Sequence, residues 1–266
     1  MPELPEVETV ANGVHERVHG QRIERVWTSG KPQTFKSPES EIEAVLTGAR
    51  IERVKRVGKT IVMTVEPQGE FLIHLGMTGR LLVSAPEVSL PPHTHAVLSL
   101  SGGNELRFVD ARWFGRLSVR TGGVYDGPGA EPLTISEDDF VKMFKGRKLA
   151  IKAALLNQSL LHGVGNIYAD ESLFRAGIRP RRQAGRLTRD ELLRLRKALI
   201  EVLKHAIKLG GSSVSDYVDA DGVRGFFQLE HMVYGRAGES CKVCGTPLKK
   251  IVVGGRTTVY CPVCQR

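Results

Sequence analysis

Four cysteines carry the plainest chemistry in this 266-residue sequence. They fall as Cys241-Lys-Val-Cys244, then sixteen residues, then Cys261-Pro-Val-Cys264. A two-residue gap lets both thiolates of one knuckle reach a single ion, and two such knuckles make a tetrahedral all-sulfur zinc site. Four thiolates close the coordination shell, so the expected zinc is structural and not catalytic. Two disulfides would use the same cysteines. However, the opening Met1-Pro-Glu-Leu-Pro-Glu6 has neither the basic nor the apolar segment of a secretory signal, and intracellular chains seldom rely on disulfides. Between the knuckles, Lys249–Val253 and Thr257–Tyr260 read as strands turning at Gly254-Gly255. Arg256 then stands just past the tip of a zinc-ribbon hairpin.

A second centre lies at the other end of the chain. Met1 precedes a small residue, so its removal is expected, and Pro2 then becomes a terminal secondary amine beside Glu3. An α-amine has an ordinary pKa of about 8. At the positive end of its own helix the neutral, nucleophilic form is favoured, and such an amine can attack a carbonyl-like carbon to form an iminium. Proline and an acid are also common in any first helical turn, so these two residues alone do not decide the matter. A third candidate is His162-Gly-Val-Gly-Asn166, where two glycines let backbone approach a ligand and Asn166 sits at the expected N-cap of a helix, an arrangement suited to phosphate. An ordinary helix–turn–helix corner would leave the same string.

These groups need elements to hold them. Residues 3–18 put Leu4, Val7, Val10, Ala11, Val14 and Val18 on one stripe, predicting an amphipathic helix. From about Arg22 to Arg120 the texture is β, with runs such as Lys59–Val65, Phe71–Leu75 and Ala96–Leu100 between Gly, Pro and Asn punctuation, as in a β-sandwich. Beyond Tyr125–Pro132 the spacing turns helical, over Ser136–Phe144, Ile151–Leu160, Ile167–Ala176 and Thr188–Leu209, the last opened by a capping box at Thr188-Arg-Asp-Glu191. The expected class is α+β: a catalytic domain over 1–125 with a helix-flanked β-sandwich, a linker at 126–132, a helical domain over 133–230 and a zinc ribbon over 231–266.

Composition narrows the partner. There are 38 Lys and Arg against 29 Asp and Glu, a net charge of +9. Nine basic residues lie between Lys145 and Arg186 with only Asp170 and Glu171 opposing them, and the last 35 residues carry six against Glu239 alone. Two like-signed patches in a folded chain fit a polyanion, most simply nucleic acid. No apolar run approaches the ~18 residues of a membrane span, and the composition is that of a globular chain and not a disordered one.

Together, Met1-Pro-Glu-Leu-Pro-Glu-Val-Glu-Thr9, His74-Leu-Gly-Met-Thr-Gly79, Gly163-Val-Gly-Asn-Ile-Tyr168 and the four-cysteine ribbon resemble the formamidopyrimidine-DNA glycosylases, bacterial 8-oxoguanine glycosylase/AP lyases, over essentially the whole chain. The resemblance implies a helix–two-turn–helix in the helical domain and double-stranded DNA bound in a cleft between domains. It implies Pro2 as the nucleophile at C1′, Glu3 as acid/base at the sugar, and Glu6 and Glu171 as supporting carboxylates. Lys59, in Val57-Gly-Lys-Thr60, would serve β-elimination, and Arg256 would serve δ-elimination. His74, His93, Arg112, Arg147, Lys152, Asn166 and Tyr234 would contact the DNA backbone, while Met77, Arg112 and Phe114 would fill the gap left by an extruded nucleotide. The segment from Gly210 through Gln228 resembles the loop that closes over the lesion, with Ser212, Ser213 and Ser215 reading the base. The family usually has a second basic residue where Trp113 stands; if Asp110–Gly115 is extended, Trp113 points away from Arg112 and Phe114 and packs.

Two other readings share many of these residues. One is the endonuclease VIII branch, which removes oxidised pyrimidines, although the Leu-Pro-Glu-Val-Glu-Thr opening resembles the purine branch more closely. The other is a zinc-ribbon DNA-binding protein without catalysis, which would not need a terminal proline. The expectation is an intracellular, cytoplasmic bacterial enzyme, associated with the nucleoid through its DNA, monomeric, and holding one zinc ion.

Overall fold

The structure is a computed structural model and describes residues 1–67, 69–213 and 217–266. The chain divides into two compact units, Met1–Asp126 with Leu209–Phe226, and Gly127–Lys208 with Phe227–Arg266.

The first unit opens with helix α1 (Leu4–Val18). There follow β1 (Ile23–Thr28), the short helix α2 (Glu39–Leu46) and strands β2 (Arg50–Val57), β3 (Thr60–Glu66), β4 (Gly69–His74), β5 (Arg80–Ser84), β6 (Thr94–Leu100), β7 (Glu105–Val109) and β8 (Arg116–Arg120). They form two four-stranded antiparallel sheets, ordered β1-β6-β7-β5 and β2-β3-β4-β8. Alternate residues of each strand face one core: Ile61, Met63 and Val65 of β3, Leu106 and Phe108 of β7, and Ala96, Leu98 and Leu100 of β6. The apolar stripe of α1 joins that core, so the helix carrying Pro2 and Glu3 at its start is fixed by buried Val7, Val10, Ala11, Val14 and Val18. Each fully buried side chain of this size stabilises by roughly 1.5–3 kcal/mol. Helix α2 is absent from the sequence expectation; only Ile42 and Leu46 are fully buried, with Val45 partly so, too few for a helical period to stand out among strands.

The sequence boundaries grouped residues 209–226 with the helical domain. They pack instead with the sandwich, because Tyr217 and Ala220 belong to its core and the Val83 amide donates to the Ala220 carbonyl.

The second unit contains α3 (Glu137–Phe144), α4 (Ile151–Leu155), α5 (Asn166–Arg175), α6 (Arg189–Lys208) and the hairpin β9 (Lys249–Val253) and β10 (Arg256–Tyr260). The capping box at α6 is present: the Glu191 amide donates to Thr188 Oγ1 at 3.2 Å and the Thr188 amide to Glu191 at 2.8 Å. Helix α4 stops at Leu155, five residues short of expectation, and Asn157 Oδ1 then accepts the Ser159 amide at 3.0 Å, a local turn that competes with helix. At α5 the N-cap is Gly165, and Asn166 is the first helical residue, a correction to its expected capping role.

Candidate active site and nucleic-acid interface

Within the first unit, the start of α1 concentrates carboxylates. Pro2 is buried just before the N-cap, Glu3 is 4% exposed and Glu6 is 2% exposed. Glu3 and Glu6 form a reciprocal capping box, in which Glu6 Oε2 accepts the Glu3 amide at 2.8 Å. The other oxygen of Glu6 accepts the Ser212 amide at 2.7 Å, and the Tyr217 hydroxyl donates to the Glu6 carbonyl at 3.3 Å. Glu6 therefore fastens Ser212 and Tyr217 to the helix start while fixing the Glu3 backbone. Gly211 has φ +81°, and a β-carbon there would lie 2.9 Å from Glu6 Oε1, so glycine is needed for this approach. Burial is the main reason that the Tyr217 hydroxyl is pushed well above its ordinary pKa, with the Glu6 charge adding to it.

Lys59 occupies the two-residue turn between β2 and β3, where Val57 pairs with Thr60 and Gly58 has φ +61°. Arg56 braces this turn by donating to the Gly58 carbonyl at 3.1 Å and pairing with Glu8 of α1 at 2.6 Å. Thr60 also pairs with His74 across β4, which brings His74 under the influence of Lys59. Burial, then Lys59 and Arg116, hold His74 below its ordinary pKa.

Asp110, fully buried, organises the prospective wedge. Its carboxylate accepts the Thr78 hydroxyl, the Arg112 amide at 3.2 Å and the Gly115 amide at 2.7 Å. This ties the loop bearing Met77 to the loop bearing Arg112 and Phe114. Met77 and Phe114 are 39% and 44% exposed, and the Arg112 guanidinium lies over the Phe114 ring at 5.1 Å. The backbone here is a turn and not extended: Trp113 has φ +60°. Trp113 still packs, edge-on to His95 at 5.5 Å and beneath the Lys31 ammonium. His93 is exposed, with φ +65°, and its carbonyl accepts the Asp110 amide.

Ser213, one of the serines expected to read the base, is engaged within the unit. The Ser213 hydroxyl donates to the Tyr217 carbonyl and accepts the Gly225 amide, both at 2.9 Å. Ser215 lies outside the described residues.

In the second unit, the four cysteine sulfurs all lie within 4.8 Å of one another. The Cys241–Cys264 and Cys244–Cys261 separations are 3.9 and 3.5 Å, close to the about 3.8 Å edge of a tetrahedron with zinc–sulfur bonds of about 2.3 Å. The donor set and spacing thus fit zinc. The hairpin turns at Gly254-Gly255 with φ +58° and +71°, leaving Arg256 exposed as the first residue of β10.

Lys152 departs from expectation. Its side chain is completely buried, its ammonium pairs with Asp170 at 2.7 Å, and it donates to Thr258 Oγ1 at 2.7 Å and the Thr257 carbonyl at 3.1 Å. A lysine so enclosed is not a surface phosphate contact. Burial pushes the Asp170 carboxyl up to about 6, against the opposing pull of Lys152. Asn166 Nδ2 donates to the same Thr257 carbonyl at 3.0 Å. Glu171 accepts the amides of Met232, Val233 and Tyr234 at 2.9–3.0 Å, so it shapes the turn that carries Tyr234. The part-buried Arg147 donates to the Met143 carbonyl at 2.6 Å. Asp110, Tyr217, Asp170 and Thr258 were not singled out from sequence; each has at least one partner distant along the chain.

Comparison with known proteins covers every part of this frame. The formamidopyrimidine-DNA glycosylase N-terminal domain matches residues 1–117, the H2TH domain of the same proteins residues 127–218, and the zinc finger found in FPG and IleRS residues 238–266. The chain is 45% identical to a formamidopyrimidine-DNA glycosylase of Solibacter usitatus and 44% identical to one of Desulfitobacterium hafniense, with each chain covered in full. A solved structure of a Lactococcus lactis FPG mutant with Fapy-dG-containing DNA superposes with a TM-score of 0.91 at 33% identity, over 100% of both chains.

Proposed function

This chain belongs to the formamidopyrimidine-DNA glycosylase family, and from that premise we propose how its own residues do the family's work. It is a base excision repair enzyme, a DNA glycosylase with AP lyase activity, and Cys241, Cys244, Cys261 and Cys264 hold one structural zinc ion. Its substrate is duplex DNA carrying an oxidised purine, 8-oxoguanine or a formamidopyrimidine, opposite cytosine. The Fapy-dG DNA bound by the Lactococcus lactis protein supports that lesion class.

With Met1 removed, the Pro2 nitrogen is a secondary amine. It attacks C1′ of the flipped nucleotide, the glycosidic bond breaks, and the base departs with the bonding electrons and takes up a proton. Glu3 donates a proton to the ring oxygen as the sugar opens, leaving an iminium between Pro2 and C1′. Loss of the C2′ proton expels the 3′ phosphate, with Lys59 holding phosphate charge. Loss of the C4′ proton then expels the 5′ phosphate, assisted by Arg256. Water finally frees Pro2 from the sugar remnant.

Flipping costs a few kcal/mol. Met77 and Phe114 would recover stacking in the gap while Arg112 hydrogen-bonds the orphan cytosine, and His74, His93, Arg147, Asn166 and Tyr234 would hold backbone phosphates. Ser212, Ser213 and Ser215 would reach the base only after the bonds of Ser212 and Ser213 to Glu6, Tyr217 and Gly225 give way. Chromosomal DNA would keep the enzyme on the nucleoid of a bacterial cytoplasm, and it would act as a monomer.

The observation that carries this reading is the start of α1, where Pro2 is buried beside the interlocked carboxylates Glu3 and Glu6. A panel of single-lesion duplexes tests the substrate class. The expected result is faster excision of 8-oxoguanine and formamidopyrimidine than of thymine glycol; the reverse order would assign the chain to the oxidised-pyrimidine branch.

A further inference from the structure

We infer that Lys152, acting with Asp170 through Thr258, is a positioning group for Arg256, and so governs the second strand cleavage without touching DNA. The inference rests on the assignment of Arg256 to δ-elimination. Lys152 is buried on α4, Asp170 is buried on α5, and both direct their charges at the start of β10. The ammonium faces three oxygens: Asp170 Oδ1, Thr258 Oγ1 and the Thr257 carbonyl. The Thr258 hydroxyl, fully buried, passes the connection on by donating to the Arg256 carbonyl at 3.0 Å. The other oxygen of Asp170 accepts the Val259 amide at 3.0 Å, and Asn166 holds the Thr257 carbonyl from a second direction.

The backbone from residue 256 to residue 259 is therefore pinned peptide by peptide on its inner side, while the Arg256 side chain stays exposed. The turn itself rests on α4: a β-carbon at Gly254 would lie 3.1 Å from the Ala153 β-carbon. A guanidinium on a long side chain is effective only if its root is fixed, since small misplacements near a reacting centre are costly in rate. An apolar pair could fill this interior equally well, because buried ion pairs are a poor source of net stability. What the charges add is direction: the ammonium fixes where the Thr257 carbonyl and the Thr258 hydroxyl must lie, and that hydroxyl in turn holds the Arg256 carbonyl.

The test uses full-length, Met-processed, zinc-loaded protein and a duplex with one abasic site. Single-turnover gels separate the 3′-unsaturated aldehyde left by β-elimination from the 3′-phosphate left by δ-elimination. Thr258→Val removes only the hydroxyl, Thr258→Ser retains it, Lys152→Met removes the ammonium, and Arg256→Gln serves as the reference. Thr258→Val and Lys152→Met are expected to lower the δ-to-β rate ratio about tenfold. Thr258→Ser keeps the wild-type ratio, and borohydride trapping at Pro2 is preserved in the Thr258 and Lys152 variants. If Arg256→Gln lowers the ratio while Thr258→Val does not, the positioning inference fails alone. If Arg256→Gln leaves the ratio unchanged, the assignment of Arg256 fails and takes the inference with it. Equal slowing of both eliminations in Thr258→Val, at full zinc content, also overturns it, because that pattern marks a general structural loss.

Discussion

The Gly76 amide donates to Nδ1 of His74 at 3.1 Å, so the neutral ring carries its proton on Nε2 and can donate it to a phosphate oxygen. Burial, Lys59 and Arg116 all depress the pKa of this ring, so the folded protein favours neutral His74. Its contribution to stability is then present above the unfolded value of about 6.5 and is lost as pH falls through the lower folded value. Replacing Lys59 with Met should raise the His74 pKa, as read by ring-nitrogen NMR titration; an unchanged or lower value would contradict the electrostatic coupling. The residues legible in sequence are those whose chemistry is local: the cysteine knuckles, the Pro2-Glu3 start and the glycine turn before Lys59. Lys152 misled because a lysine in a basic stretch reads as surface. Only the fold reveals Asp170, eighteen positions later, and the buried oxygens of β10 that enclose it. Asp110 escaped notice in part for the same reason: the amides of Arg112 and Gly115 are close in sequence, but Thr78 is brought to it only by loop closure.

At the scale of elements, two loops and one hairpin do most of the positioning. Gly76 has φ +65°, and a β-carbon there would lie 2.5 Å from the Phe114 carbonyl carbon, so the Met77 and Phe114 loops meet backbone to backbone. Gly76→Ala should cost about 1–3 kcal/mol, lower the Tm by several degrees and weaken lesion-dependent cleavage. An unchanged melt would show that the two loops are not in such contact. The zinc hairpin is held at one end by sulfur and at the other by Lys152 and Asp170. Structural zinc supplies folding energy on the order of 10 kcal/mol, so Cys244→Ser should lose the metal, the hairpin and strand cleavage together; metal analysis with a cleavage assay checks this, and full cleavage without zinc would refute it. The long elements were legible because their periods are long: α1, α6 and the strands around β3 lie within a few residues of expectation. Short elements were read unevenly: α3 and the β9–β10 hairpin fall where expected, but α2 offers only two buried residues, α4 is cut off by the Asn157 turn, and the Gly165 N-cap hides behind an asparagine of better capping propensity.

Across the whole molecule, a net charge of +9 and three family domains in order describe an enzyme built for a polyanionic substrate. Among the described residues no helix is long and apolar enough to cross a membrane. The broad architecture was legible from the change of texture along the chain, strands first and helices after. The membership of residues 209–226 was not, since a Gly/Ser-rich segment gives no periodicity and declares its unit only through Tyr217 and Ala220. The central claim is that the amine of Pro2 attacks the damaged nucleotide. The most direct measurement incubates tag-free, Met-processed protein with a duplex carrying one 8-oxoguanine opposite cytosine, adds borohydride and locates the crosslink by mass spectrometry. A reduced adduct on Pro2, lost in Pro2→Gly while DNA binding persists, is the predicted result. An adduct on any lysine, or none at all with zinc and DNA binding intact, would contradict it.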